Sequence, residues 1–282
     1  MSKYRAEFED HTRGDVRVRA AGGRLRGADH RSARWTFTAL TGLPEVRPGD
    51  PLDLLIASAL QRRRRRLRSG DILVVAQKVV SKAEDRFLEL SGIRPTARAR
   101  ELARLTGKDP RVVQAILAES ISVVRAVPGV LIVRHRLGLV MAQAGIDRSN
   151  LPTGERLLRL PEDPDVSARR LRRQLARRLG VAPGVIISDS FGRPWRLGTV
   201  NVAIGVAGLP ALWDRRGELD RHGRVLEATL IAWADAVAAG AGLAMGEASE
   251  GLPVVLARGS LPPLRPGSAR DLVRPGGEDL FT

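Results

Sequence analysis

Cysteine is absent from the 282 residues, which excludes disulfide frameworks, thiolate zinc sites, iron–sulfur clusters and cysteine nucleophiles together. Lysine is nearly absent too: it occurs at Lys3, Lys78, Lys82 and Lys108, so that 43 of the 47 cations are arginine. Aromatic residues make up only 4% and do not interleave with basic ones, which speaks against a base-stacking platform. Long apolar runs are missing. Leu230 to Met245 is the most apolar stretch, but it carries Asp235 and falls short of the ~20 residues of a bilayer span. The first residues, Met1 to Glu7, carry charges of both signs and no apolar centre, so no signal peptide is read there. A cytoplasmic protein without a membrane partner is the expectation. Familiar catalytic signatures are also lacking. No Walker loop, HExxH or GxSxG is present, and His11, His30, His135 and His222 are scattered. Gly240-Ala241-Gly242 with Gly246 is one residue too long for a dinucleotide fingerprint and follows a helix.

What is present is a globular composition, 43% apolar and 28% charged, with a net charge of +16. A chain so basic can bind nucleic acid through its phosphates, and a nucleic-acid-binding protein is the alternative from a different functional class. The densest basic run, Arg62 to Arg66 with Arg68, follows Leu52, Leu54, Leu55, Ile56 and Leu60 at helical spacing. It reads as the solvated last turns of a helix, where cations suit the dipole, with Asp50 as cap and Pro51 at the first position.

Residues 1–34 read as a disordered basic leader, 35–260 as one catalytic domain and 261–282 as a loose tail. Asp71 to Ala76 and Val185 to Ser188 are apolar apart from Asp71 and Ser188 at their ends and read as buried central strands. Helices are expected over 96–105, 110–121, from Asp163-Pro164 to Gly180, and over 223–245, with a hairpin over 130–142 and a last strand at 253–257. Strands and helices alternate irregularly, which predicts an α+β fold of mixed sheets with packed helices.

Three stretches carry candidate chemistry. Gln77 to Lys82 leaves a buried strand and holds two of the four lysines, compact charges suited to phosphate oxygens or simply to solvent at a strand end. Ala144 to Asn150 gathers Asp147, Ser149 and Asn150 beside Gly145, either as functional groups or as an Asx-type turn. Asp189 and Ser190 emerge from an apolar strand, where an unpaired carboxylate is costly. A carboxylate beside a hydroxyl suits Mg²⁺ or Mn²⁺. Lysines, carboxylates and no histidine base suit phosphoryl transfer or nucleotide-driven ligation.

In that order along the chain, from about Thr41 to Gly259, these stretches resemble the coenzyme F-420:L-glutamate ligase family, also called F-420-0:gamma-glutamyl ligase. The shared markers are Gly42-Leu43-Pro44, Gln77 to Glu84, Ala144 to Asn150, Leu160 to Asp165, Ser188 to Arg196, Val202 to Gly205, His222-Gly223-Arg224 and Met245-Gly246-Glu247. The resemblance implies an unusual α+β ligase fold in an intertwined homodimer. It implies a GTP-dependent ligase that adds L-glutamate to the phospholactyl carboxylate of the deazaflavin precursor through an acyl phosphate, then a γ-linked glutamate. It assigns Asp147, Asp189 and Ser190 to a divalent metal, Mg²⁺ or Mn²⁺, with K⁺ as a further cation, and Lys82, Asp147 and Asp189 to catalysis. Thr41, Gly42, Leu43, Pro44, Gln77, Lys78, Lys82, Asn150, Met245, Gly246, Glu247, Ala248, Ser249, Glu250, Gly251 and Leu252 would contact GTP. Ser190 stands where many relatives carry Thr, and Gln77-Lys78 where others carry small hydroxyl residues. A ligase acting on another phosphorylated acid is the nearer alternative, because nothing in the residues reports the acceptor's ring.

Overall fold

The computed structural model describes residues 34–147 and 155–278. The expected leader, save Arg34, and Asn150 lie outside the described residues. In chain order the elements are β1 Thr36–Ala39, α1 Leu52–Arg62, β2 Ile72–Ala76, α2 Gln77–Ala83, β3 Phe87–Glu89, α3 Ala97–Thr106, α4 Pro110–Ala118, β4 Ser120–Val127, β5 Val130–His135, β6 Val140–Ala142, β7 Arg156–Leu158, α5 Pro164–Leu179, β8 Gly184–Arg193, β9 Arg196–Ala207, β10 Trp213–Asp214, β11 Leu230–Ile231, α6 Trp233–Met245 and β12 Val254–Arg258.

The apolar run Ile72-Leu73-Val74-Val75 becomes β2, buried on both faces as its lack of alternation requires. It sits at the centre of a five-stranded sheet ordered β1-β12-β2-β8-β9, in which only β2 and β8 run parallel. Leu73 and Val75 pack toward Ile56 and Leu60 of α1 and Leu171 and Leu175 of α5. Ile72 and Val74 face the other way, into Trp233, Val237 and Ala241 of α6. Burying each such side chain contributes roughly 1.5–3 kcal/mol, so the sheet is the rigid frame of the molecule. A third apolar cluster joins α3 and α4 to β4, β5 and β7. Helices and mixed sheets in one chain give the α+β class the sequence predicts. Among the described residues no helix is long and apolar enough to cross a membrane.

Local signals hold where side chains satisfy backbone ends. Thr96 accepts from Ala99 N at 3.2 Å to cap α3, and Asp163 accepts from Val166 N at 2.9 Å to open α5, with Pro164 in its first turn. Asp50 differs from expectation. Its Oδ2 accepts from Arg47 N at 2.7 Å, so it closes the turn before α1, whose own N-cap is Pro51. The arginine run also leaves the helix early: α1 stops at Arg62, and Arg64 turns left-handed at φ 51°. Like charges one turn apart disfavour continuation. The helix expected from residue 223 begins only at Trp233, because Leu230–Ile231 pairs with β10 and the Asp220 carboxylate gathers the N–H groups of His222 and Arg224. The segment expected as a loose tail makes specific contacts. Buried Asp165 accepts from Ser268 Oγ at 2.6 Å and Ala269 N at 3.0 Å, as well as from Val206 N at 2.8 Å. A buried carboxylate needs such partners, and residues 268–269 supply two of the three.

Candidate active site

Strand direction decides where the loops meet. β1 and β12 are antiparallel, as are β12 and β2, while β2 and β8 are parallel. The carboxyl ends of β1, β2 and β8 therefore share one edge of the sheet with the amino end of β12. Two backbone bonds mark the seam, Leu40 N to Val254 O and Ala76 N to Pro253 O, both 2.8 Å. Thr41 to Pro44, Gln77 to Lys82, Asp189-Ser190 and Met245 to Leu252 all leave or enter the sheet there.

Helix α2 begins directly at the end of β2, and its period sets Lys78 and Lys82 one turn apart. Lys78 Nζ lies 2.7 Å from Asp147 Oδ2. Lys82, with a side chain 6% exposed, pairs with Glu45 and so ties the 41–45 loop to α2. That loop is braced from α1 as well: Arg63 Nε donates to Thr41 Oγ1 at 2.7 Å, and Arg62 Nη2 to Gly42 O at 2.7 Å. Gln77 is buried, and its Oε1 accepts from Ser81 Oγ at 2.9 Å. Glu45 escaped the sequence reading. Its one signal is a carboxylate following a Gly-Leu-Pro turn.

Asp147 reaches the edge from outside the sheet. The chain turns through Gln143, Ala144 and Gly145, all left-handed, and a two-way backbone bridge of 2.9 Å bonds fixes Asp147 against Leu158. Gly145 is required here, because a Cβ would come within 2.7 Å of Met141 Cε and 2.9 Å of Leu160 Cγ. Asp189 stands one residue beyond the last β2–β8 pair, Ala76 with Ser188. Burial pushes its carboxyl up to about 7, against the pull of the Ser190 N–H; the charges of Asp147 and Glu247 push the same way, and Lys78 pulls it down. Glu247, in the loop after α6, is held by Asn201 Nδ2 at 2.6 Å. Asn201 was not foreseen, although a lone amide among the apolar residues of Val200 to Ile204 was its visible signal.

Asp189 thus lies within electrostatic reach of two further carboxylates, Asp147 and Glu247, and of the Lys78 ammonium that pairs with Asp147. Among the described residues no three acidic or imidazole side chains stand close enough to enclose an ion by themselves. The donor set nonetheless fits Mg²⁺ or Mn²⁺, which take one or two carboxylates and complete their shell with water and phosphate oxygens rather than requiring a protein cage. Asp147 and Asp189 would hold such an ion. Ser190 pairs with Asn201, while Asp189 pairs with Val202, so strand alternation sets the two neighbours on opposite faces of β8. The Ser190 hydroxyl would have to reach the ion around the strand's rim.

Volume alone points elsewhere. A groove of about 630 Å³ lies between the start of α1, the end of α2 and α5, lined in part by Val80, Glu84, Arg86, Glu162 and Arg170. Its ionic groups are already paired, Arg170 with Glu84 and Arg86 with Glu162, and no expected site residue lines it. The expected site residues gather at the sheet edge instead, and that decides between them.

A family model described as F-420-0:gamma-glutamyl ligase matches residues 42–259. Curated relatives named coenzyme F-420:L-glutamate ligase align over most of the chain. The protein of Methanopyrus kandleri is 48% identical, covering 84% of this chain and 93% of its own length. That of Methanothermobacter thermautotrophicus is 46% identical over 87% and 98%, and that of Archaeoglobus fulgidus 44% over 85% and 93%.

Proposed function

The chain belongs to the F-420-0:gamma-glutamyl ligase family, and from that premise we propose that it joins L-glutamate to the phospholactyl carboxylate of the coenzyme F-420 precursor, then a second glutamate to the γ-carboxylate of the first. The observation that carries the site assignment is the gathering of Asp147, Glu247 and Lys78 about Asp189 at the sheet edge where the 41–45 loop leaves β1 and the 245–252 loop enters β12. A carboxylate oxygen of the acceptor attacks the γ-phosphorus of GTP, and GDP departs with the bridging oxygen. The neutral α-amine of glutamate then attacks the acyl phosphate carbon and loses a proton, and inorganic phosphate leaves. Such transfer is governed by positioning and charge neutralisation rather than by a protein nucleophile.

Lys78 sets a compact positive charge beside both aspartates, where phosphoryl oxygens need it. Lys82, through Glu45, holds the 41–45 loop against α2, while Glu250 accepts from Ala248 N at 2.8 Å and folds the 245–252 loop onto itself. Mg²⁺ or Mn²⁺ bound at Asp147 and Asp189, with Ser190 as a further donor, would draw charge from the transferring phosphoryl group. A homodimer and a further K⁺ belong to the same proposal.

The test is incubation with the tail-less precursor, L-glutamate, GTP and Mn²⁺, reading product mass. Increments of one and two glutamates, lost when GTP or the divalent metal is omitted, are expected. A metal-independent increment, or no increment in the complete mixture, overturns the assignment. Omission of K⁺ and sedimentation of the purified chain check the remaining two elements.

A further inference from the structure

Strands β8 and β9 outgrow their sheet. The last β2 partner is Ser188, and beyond it residues 189–193 pair only with 196–202, in a register running from Asp189–Val202 to Arg193–Arg196. The result is a two-stranded arm whose base is Asp189 and whose tip is Pro194-Trp195. Trp195 is 90% exposed and sits in the left-handed region at φ 61°. An L-residue with a bulky side chain costs about 1 kcal/mol or more there. No ring or guanidinium among the described residues packs on it, whereas Trp35 stacks on Phe37 and meets Trp233 edge-on, and Arg215 covers Trp213. Arg193 Nη2 donates to Leu197 O at 3.1 Å across the tip, its buried Nε has no acceptor among the described residues, and Arg196 is exposed. An exposed indole between two guanidiniums, fixed to the arm that carries Asp189, fits a planar aromatic ring joined to an anionic arm.

We propose that Trp195 is the specificity-determining platform on which the heteroaromatic ring of the acceptor stacks, with Arg193 and Arg196 facing its phosphate-bearing arm. This rests on the ligase reading and deepens it. Reach supports it. From Asp189 to Arg193 an extended strand advances about 13 Å at about 3.3 Å per residue, and the Pro194-Trp195 turn adds roughly one residue's rise more. An arm of roughly ten bonds at roughly 1.2 Å each, plus half a tricyclic ring, spans about 16 Å from the reacting carboxylate to the ring centre.

The test measures the acceptor KM, the GTP KM and kcat for Trp195→Ala, Trp195→Phe and, as an equally solvent-exposed control on the same arm, Leu197→Ala, with sedimentation of each. Stacking on an aromatic platform gives an expected rise of roughly 10–100-fold in acceptor KM for Trp195→Ala, with GTP KM unchanged, substantial rescue by Trp195→Phe, and wild-type behaviour for Leu197→Ala. Quenching of tryptophan fluorescence by the bare precursor should weaken in Trp195→Phe. An unchanged acceptor KM in an active Trp195→Ala enzyme overturns the platform and leaves the ligase reading intact. A wild-type chain that adds no glutamate fails at the earlier step instead. If Trp195→Ala changes the oligomeric state and depresses acceptor and GTP kinetics alike, the arm contacts a second copy and the proposal falls.

Discussion

Glu119 offers the sharpest quantitative test of how the frame holds Asp147. Its carboxylate is 6% exposed and accepts from Arg136 Nε at 2.9 Å and Arg159 Nη1 at 3.2 Å, with Arg86 Nη2 at 3.6 Å. His135 Nδ1 accepts from Leu137 N at 3.0 Å, which leaves any proton on Nε2, 3.6 Å from Glu119. Burial pushes the Glu119 carboxyl up, yet the His135 imidazole and the charges of Arg136 and Arg159 outweigh it and bring the value to about 2 from an ordinary 4.5. Glu119→Gln keeps the shape and removes the charge that offsets these guanidiniums. A shift of that size corresponds to about 3 kcal/mol, and solvent screening of the half-exposed arginines reduces the expected loss to about 2 kcal/mol at pH 7. The sign follows from the depressed value: the contribution is complete above the unfolded pKa and declines as pH falls from 4.5 toward 2. The difference between wild type and variant should therefore shrink by about a third to a half at pH 3.5. Urea denaturation at pH 7, 4.5 and 3.5 measures it. Because Arg159 N donates to Arg86 O at 3.1 Å, just after the Leu158 that brackets Asp147, ligase kcat should fall as well. A midpoint equal to wild type at pH 7, or a difference that grows on acidification, would refute the reasoning.

Asp189→Asn should lower metal-dependent GTP turnover by at least ~100-fold while leaving the circular dichroism unchanged; undiminished turnover removes Asp189 from the site. Lys82→Met should weaken GTP binding about tenfold by releasing the 41–45 loop, with a loss of roughly 1 kcal/mol in stability for the Glu45 pair; unchanged GTP titrations would separate that loop from the nucleotide. Removing residues 1–33 should leave the glutamate increments intact, and their loss would make that segment part of the working enzyme.

The central frame was legible because its signals are local. Ile72 to Ala76 and Val185 to Ile187 are apolar without alternation, and Asp163-Pro164 and Gly180 punctuate α5 at both ends. β9 was hidden by Gly198, Thr199, Asn201 and Gly205, which break the alternation that would announce a strand, and its pairing partner lies across a turn rather than in its own composition. β4 is not read from the sequence: the helix expected over 110–121 takes its first two residues, and Ser122 to Val127 carries no clear alternation. At the site, Lys78, Asp147 and Asp189 stood out by residue type in an arginine-rich chain. The meeting of Lys78 and Asp189 at one edge follows from strand directions that no single stretch specifies, and Asp147 joins it through the 143–145 turn and its bridge to Leu158. Glu45 and Asn201 act only through contacts with residues 37 and 46 positions away, so neither has a local signature.

The division between arginine and lysine has a structural sense at this edge. Arg258 grips Asp71 through Nε at 2.7 Å and Nη2 at 2.9 Å, and Arg216 forks onto Asp214 in the same way. Such two-point contacts fix both carboxylate oxygens in one plane and suit bracing. Lysine engages Asp147 as a point charge without a fork, so the ammonium can yield ground to an incoming phosphate or cation with less loss of aligned hydrogen bonding. A carboxylate shared with a dication, as proposed for Asp147, would therefore be better partnered by Lys78 than by an arginine. The Arg62 to Arg66 run shows the converse: its first two guanidiniums brace Thr41 and Gly42 from outside, and in a chain this rich in arginine the informative cations are Lys78 and Lys82, two of its four lysines.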